Sequence, residues 1–390
     1  MYSILHGDAR DMMLMIGADC FHAIVTDPPY GLKFMGKAWD YGIPGVPFWT
    51  EALRVAKPGA HLLAFGGTRT FHRLTCAIED AGWEIRDCVM WVYGSGFPKS
   101  HNISKQIDKM EGVKREVVGT RTDGRGASPS KIANHGKGDT GIGHADGSKQ
   151  VYEETISTSD AARQWEGWGT ALKPAWEPII LARKPLIGTV AANVQQFGTG
   201  GLNIDGCRVE TSDNLNGGGY SENYQGSSFL KYGGKLEFEQ PIGRWPANLI
   251  HDGSEEVVEL FPQSKSTGGK GEASGLIDNA SIYGKFSGDN KGANAGGLGD
   301  SGSAARFFYC AKVSRSERGE GNTHPTVKPL ALMRYLIRLV APKESLVLDP
   351  FVGSGSTIIA CEKEKVHCVG IDNDVSSIQI AVNRVKVACG

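Results

Sequence analysis

Hydrophobic positions along the chain alternate between short β-branched runs and longer stretches at helical spacing. Residues 22–26 (HAIVT) form a short apolar run ending at Asp27-Pro28-Pro29, which predicts a strand. Phe48, Ala52 and Val55 recur at helical spacing, and Lys57-Pro58-Gly59 predicts the stop of that helix. Residues 61–65 predict a second strand, 70–81 a helix stopped by Gly82, and 84–92 a third strand. Farther on, Leu330, Met333, Leu336, Ile337 and Val340 share one helical face ahead of Pro342. A strand at 345–348, a glycine-containing turn, a helix to 363, a strand at 366–371 and a helix at 374–387 follow. Such alternation predicts a parallel sheet covered by helices on both faces. One α/β domain is thus split by a long insertion, with its pieces towards both ends of the chain.

Composition sharpens this division. Residues 112–321 hold 37 of the 53 glycines. Long structureless loops are uncommon inside compact domains, so the middle reads as a loop-rich domain or a partly disordered stretch. The 390 residues leave room for two or three domains. No apolar run approaches the roughly 18 residues of a membrane span, and residues 1–9 lack the basic-then-apolar pattern of a secretory signal. The 42 basic and 43 acidic residues exclude binding nucleic acid by bulk charge, although local basic patches remain open. Eight scattered cysteines without a Cys-x-x-Cys pair fit a reducing cytoplasm, and no histidine or cysteine spacing predicts a metal.

Two constellations carry chemistry, each directly after a predicted strand. Asp349-Pro350-Phe351-Val352-Gly353-Ser354-Gly355 opens a helix. Glycines there allow close approach of a ligand, and the helix start offers N–H donors. Asp372 ends the next strand, where an acid can accept both hydroxyls of a ribose. Neither a Gly-x-Gly-x-x-Gly fingerprint nor a phosphate loop is present. The second constellation is Asp27-Pro28-Pro29-Tyr30. Its prolines fix two φ angles and remove two N–H donors. A carboxylate, a rigid carbonyl and an aromatic ring then suit a flat ring bearing an exocyclic amine: the ring stacks on Tyr30, while Asp27 and the Pro28 carbonyl accept its N–H bonds.

These motifs together resemble the amino-methylating DNA methyltransferases that use S-adenosylmethionine, and their order resembles the β-group of that family. The resemblance implies a Rossmann-like methyltransferase sheet, circularly permuted, with a long Gly-rich target-recognition insertion. It extends to Gly7-Asp8-Ala9, which resembles the element receiving the cofactor's adenine amine, so Asp8 and Ala9 join the cofactor site. His324, Thr326 and Lys328, within residues 323–329, resemble the segment lining the methionine end. Asp349, Pro350, Phe351, Gly353, Gly355 and Asp372 complete the implied cofactor set. Residues 177–184 resemble a late core strand, and residues 2–5 supply the strand that the fold needs beside 366–371. The implied divisions are 1–100 (catalytic half), 101–170 (Gly-rich insertion), 171–187 (late strand), 188–322 (target recognition) and 323–390 (cofactor half).

The reaction so implied moves a methyl group from S-adenosylmethionine to the N6 amine of adenine in DNA, with Asp27, Pro28, Pro29 and Tyr30 at the reacting nitrogen. The base is flipped from a duplex or presented in a single strand. Cytosine N4 is the alternative; carbon-5 methylation is not, since no cysteine follows a proline. Candidate DNA contacts are Arg121, Arg125, Lys131, Lys137, Arg244, Trp245 and Lys285, whereas Trp165, Trp168 and Trp176 read as packing residues. Any restriction endonuclease partner is another chain, no membrane partner is expected, and the sequence leaves oligomeric state open, a homodimer included. Enzymes that methylate protein glutamine or RNA bases, and a DNA-binding regulator with a dead cofactor pocket, are the competing readings.

Overall fold

The computed structural model describes residues 1–32, 42–96, 98, 100–122, 151–211, 242–265, 301–312 and 327–389. In chain order the strands are β1 (Tyr2–His6), β2 (Phe21–Thr26), β3 (Ala56–Phe65), β4 (Glu84–Val92), β5 (Glu116–Thr122), β6 (Val151–Ile156), β7 (Trp176–Arg183), β8 (Val209–Glu210), β9 (Gly243–Arg244), β10 (Leu249–His251), β11 (Gln263–Lys265), β12 (Ser301–Ser303), β13 (Tyr309–Cys310), β14 (Leu346–Asp349) and β15 (His367–Asp372). The helices are α1 (Ala9–Leu14), α2 (Val46–Val55), α3 (Phe71–Asp80), α4 (Ile103–Met110), α5 (Asp160–Gln164), α6 (Val190–Phe197), α7 (Glu255–Val258), α8 (Leu330–Val340), α9 (Ser356–Glu364) and α10 (Val375–Cys389).

A nine-stranded sheet runs β1-β15-β14-β2-β3-β7-β4-β10-β13. Its alternating side chains make two cores. Val25, Leu63, Phe65, Ile179 and Leu181 face α8 and α9; Ile24, Leu62, Ala64, Ile180 and Ala182 face α1, α2 and α3. This two-residue period is what a sheet buried on both faces requires. The strand expected over 2–5 pairs in parallel with β15, Tyr2 opposite Cys368 and His6 opposite Asp372.

Two features differ from the sequence expectations. The sheet is mixed, because β7 runs antiparallel to both β3 and β4. Periodicity identifies a strand but not its direction. And β3 starts at Ala56, not 61, because Lys57-Pro58-Gly59 forms an irregularity within the strand and not a break. Gly59 adopts φ +77°, and a Cβ there would lie 2.3 Å from Asn193 Nδ2, which itself donates to the Pro58 carbonyl at 3.0 Å.

The middle of the chain contributes to this frame. Segment 188–322, expected as a recognition region, also supplies β10 and β13 to the main sheet. Within 101–170, α4, α5 and the antiparallel β5–β6 pair gather around buried Asp108, which accepts from Arg115 at 2.7 Å and from the Thr158 and Ser159 N–H groups. Trp165 and Trp168, expected as packing residues, instead stand exposed, edge to face with each other. Trp176 is partly buried against the edge of Phe71. Among the described residues no helix is long and apolar enough to cross a membrane.

Candidate active site

Parallel direction and adjacency bring the C-terminal ends of β1, β15, β14 and β2 to one edge of the sheet. Each is followed by or ends in an aspartate, and Asp8, Asp372, Asp349 and Asp27 all line one cavity of about 430 Å³. Ligand clefts of about 300–1,000 Å³ are usual for small molecules. The cavity's apolar wall includes Ile43, Pro44, Phe48 and Phe351, the last two rings being stacked at 5.1 Å.

The four acids have different duties. Asp8 caps α1, its Oδ1 accepting from the Arg10 and Asp11 N–H groups at 2.9 and 3.3 Å. Asp372 accepts from the N–H of Gly353 at 2.8 Å through Oδ2 and from that of Asp374 at 2.9 Å through Oδ1. Each carboxylate oxygen has two lone pairs, so Asp372 holds the glycine loop and retains acceptor capacity towards the cavity. Asp349 is 2% exposed. It accepts from the Thr26 hydroxyl at 2.8 Å, the Phe351 N–H at 3.1 Å and the Thr357 hydroxyl. Burial pushes its carboxyl up to about 6, against the pull of these donors.

The two loop glycines also differ. Gly353 (φ +49°) lines the cavity. Gly355, expected to admit a ligand, is not among the lining residues. At φ +82° it turns the chain into α9, and a Cβ there would meet Ala381 of α10 at 3.0 Å. Its left-handed φ and its approach to α10 both favour glycine there.

At the other side of the cavity the Tyr30 hydroxyl donates to Asp27 Oδ1 at 2.7 Å and lies 3.1 Å from Glu177 Oε2. Lys328 Nζ bridges the same two carboxylates, 3.1 Å from Asp27 Oδ1 and 2.8 Å from Glu177 Oε2, and sits 4.6 Å from the centre of the Phe65 ring. Tyr93 donates to Glu177 Oε1 at 3.4 Å. Burial pushes the Asp27 carboxyl up, opposed by Lys328, and burial with the neighbouring carboxylates drives the Tyr30 phenol well above its ordinary range. Burial alone would lower Lys328, but Asp27 and Glu177 overcome it and hold the ammonium protonated.

Glu177 is a site residue that motif reasoning did not single out. Its signal was a lone acid at the head of an apolar strand, Glu177-Pro178-Ile179-Ile180. Only the antiparallel direction of β7 brings that head to the edge where β2 and β3 end. Lys328, expected at the methionine end of the cofactor, lines the cavity and is also tied to Asp27. Asp8, Ala9, Asp27, Pro29, Lys328, Asp349, Pro350, Phe351, Gly353 and Asp372 are brought together around the cavity, whereas Pro28 and Tyr30 are not among the residues lining it. His324 and Thr326 lie outside the described residues, as do Arg125, Lys131, Lys137 and Lys285, and the Arg121 side chain is likewise outside them. Trp245 is exposed beneath the Arg208 guanidinium, and Arg244 lies over the Phe307 ring. Among the described residues no group of three His, Cys, Asp or Glu side chains could hold a metal.

A glycine loop and an acid at consecutive strand ends, with an apolar slot between, define a nucleoside-binding α/β enzyme whose cavity ends at a buried carboxylate cluster. The model of the N6/N4 DNA methylases matches residues 21–383, and the chain belongs to that family. It is 44% identical to the type II methyltransferase M.HindIII of Haemophilus influenzae, over 98% of this chain and 95% of that protein. Among solved structures it is similar to the M1.HpyAVI–SAM complex (16% identity, 99% of each chain, TM-score 0.40). It is also similar to the cytosine-N4-specific PvuII DNA methyltransferase (12% identity, 99% of this chain and 92% of that one, TM-score 0.42). The protein is a site-specific DNA methyltransferase that uses S-adenosylmethionine.

Proposed function

We propose that the chain methylates the N6 amine of adenine in DNA, and that Asp27, the Pro28 carbonyl and Tyr30 hold the reacting base. The observation carrying this reading is that Asp27 and Asp372 line one cavity, so an amine held by the first faces a nucleoside held by the second. S-adenosylmethionine, when bound, supplies an electrophilic sulfonium methyl group. The chain's residues fit it: Asp372 accepts from the ribose hydroxyls, the stacked Phe351 and Phe48 give the adenine an apolar wall, and Asp8 and Ala9 meet the adenine edge. Asp349 sets the loop that Pro350, Phe351 and Gly353 present. His324, Thr326 and Lys328 are assigned to the methionine end, and Gly355 to the packing of α9.

The exocyclic nitrogen is a weak nucleophile because its lone pair is delocalised into the ring. Among the described residues, Asp27 Oδ1 is engaged by Tyr30 and Lys328, which leaves Oδ2 for the amine. Hydrogen bonds from both amine protons, to Asp27 and to the Pro28 carbonyl, favour a pyramidal nitrogen with an available lone pair. Positioning and electrostatics then supply the catalysis.

The chain order reads as the circularly permuted β-group arrangement, supported by β1 lying beside β15. The likeness to a type II methyltransferase favours a restriction–modification role in a bacterial or phage-infected cytoplasm, with the endonuclease on a separate chain and residues 188–322 reading the target.

Mass spectrometry of nucleosides from DNA incubated with the protein and labelled cofactor tests this. Labelled N6-methyladenine is expected; N4-methylcytosine would overturn the base assignment. Asp27→Ala should slow single-turnover transfer by about 10²–10³-fold, by analogy with removing one charge-stabilising hydrogen bond, and leave cofactor affinity near wild type.

A further inference from the structure

We propose that Glu177 is the acceptor from which the reaction's proton passes to solvent, reached from the methylated amine through Asp27 and the Tyr30 hydroxyl. This rests on the amino-methylation reading above. When the N–CH3 bond forms, the nitrogen carries a positive charge until one N–H bond breaks and its electron pair returns to nitrogen. One proton must therefore leave the pocket for each methyl group delivered.

Asp27 lines the cavity and Glu177 does not, which makes Asp27 the first acceptor on the path to Glu177. The Tyr30 hydroxyl bridges them, 2.7 Å from Asp27 Oδ1 and 3.1 Å from Glu177 Oε2. Asp27 takes the amine proton on Oδ2, and its carboxyl group turns to bring that proton to the Tyr30 hydroxyl. Tyr30 then turns its O–H from Asp27 to Glu177, gives that proton to Oε2 and receives the proton of Asp27 in its place. Tyr30 ends as it began, and Glu177 carries the proton until it passes to solvent. The strongly raised phenol of Tyr30 makes a free tyrosinate inaccessible, so the two transfers are concerted.

The charges suit this outcome. Lys328 is paired with both carboxylates, so two carboxylates and one ammonium leave one net negative charge, matching the one proton to be taken up. Among the described residues, the titratable groups around Glu177 are Tyr30, Lys328 and Tyr93, with Asp27 across Lys328. The Tyr93 hydroxyl, 3.4 Å from the other oxygen of Glu177, offers the next step outward from this cluster.

The test uses the full-length protein, saturating cofactor and duplex DNA in single-turnover mixing. Methyl transfer is read by quenched radiolabel and proton release by a pH indicator. In the wild type the two should coincide. Glu177→Gln should leave cofactor and DNA affinities near wild type, delay proton release behind methyl transfer and change the acid limb of the pH–rate profile. Its loss in rate should be about 10²-fold, as expected for a lost proton acceptor. Tyr30→Phe, which keeps the ring and cuts the bridge, should show the same delay. Wild-type timing and an unchanged pH profile in Glu177→Gln would overturn the relay, whether or not its rate falls, because a purely structural role moves neither. Methylation by Asp27→Ala at the wild-type rate would instead remove the amine-site reading on which the relay stands.

Discussion

The Thr26 hydroxyl donates to Asp349 at 2.8 Å, across 323 residues of sequence. Thr26 is the last residue of β2 and precedes the tetrapeptide; Asp349 is the last residue of β14 and precedes the glycine loop. This hydrogen bond joins the strand ends that carry the tetrapeptide and the glycine loop, so that each motif is positioned by a neighbouring strand.

Asp349 has a defined consequence for stability. Its folded value of about 6 lies above the roughly 3.9 of an unfolded aspartate. The folded state therefore binds more protons between these values. The contribution of this group is fully present below the unfolded value and is lost as pH rises through about 6. Asp349→Asn cannot ionise, so its stability relative to wild type should improve by about 1–3 kcal/mol between those two pH values and then level off. Denaturant unfolding at a series of pH values measures this; a gap that does not vary with pH would refute it.

Asp372→Ala should weaken cofactor binding by about 10–100-fold, as hydrogen bonds to a charged acceptor contribute roughly 1.5–3 kcal/mol. Because Asp372 also accepts from the Gly353 N–H, part of that loss comes from a loosened loop. Calorimetric titration with S-adenosylmethionine is the measurement, and unchanged affinity would remove the ribose assignment.

Gly355→Ala should destabilise the fold by about 1–3 kcal/mol, the usual cost of a left-handed conformation at a non-glycine residue. Ala381 Cα, 3.2 Å from the added Cβ, opposes relaxation. Thermal unfolding should shift downward while the folded fraction at low temperature still binds cofactor. A melting temperature equal to that of wild type would exclude the packing role.

In the 101–170 module, Asp108→Ala removes the acceptor shared by Arg115, Thr158 and Ser159. Those hydrogen bonds, working against burial, hold the Asp108 carboxyl below its ordinary value. In the wild type its contribution is present above the unfolded pKa and lost as pH falls through the lower folded one. The variant should show faster amide exchange across α4 and α5 at neutral pH, with the difference shrinking in acid. Protection identical to wild type at neutral pH would count against this role.

Much of the fold and half of the site could be read from the residues alone. Most strands of the outer portions announced themselves by a short apolar run, and each glycine or aspartate at a strand end by its turn chemistry, because these preferences are local; residues 2–5 were placed only through the family resemblance. The sequence alone therefore determined the α/β class, the tetrapeptide, the glycine loop and the acid at Asp372. It did not determine the direction of β7, because a buried strand has the same pattern whichever way it runs. That direction moves Glu177 from the head of a core strand to the side of Asp27 and Tyr30, and it makes Lys328 a bridge between two acids. Nor could composition distinguish Gly353, which faces the cavity, from Gly355, which faces Ala381 two residues later. Such assignments depend on which elements meet across hundreds of residues, and only the packed tertiary structure decides them.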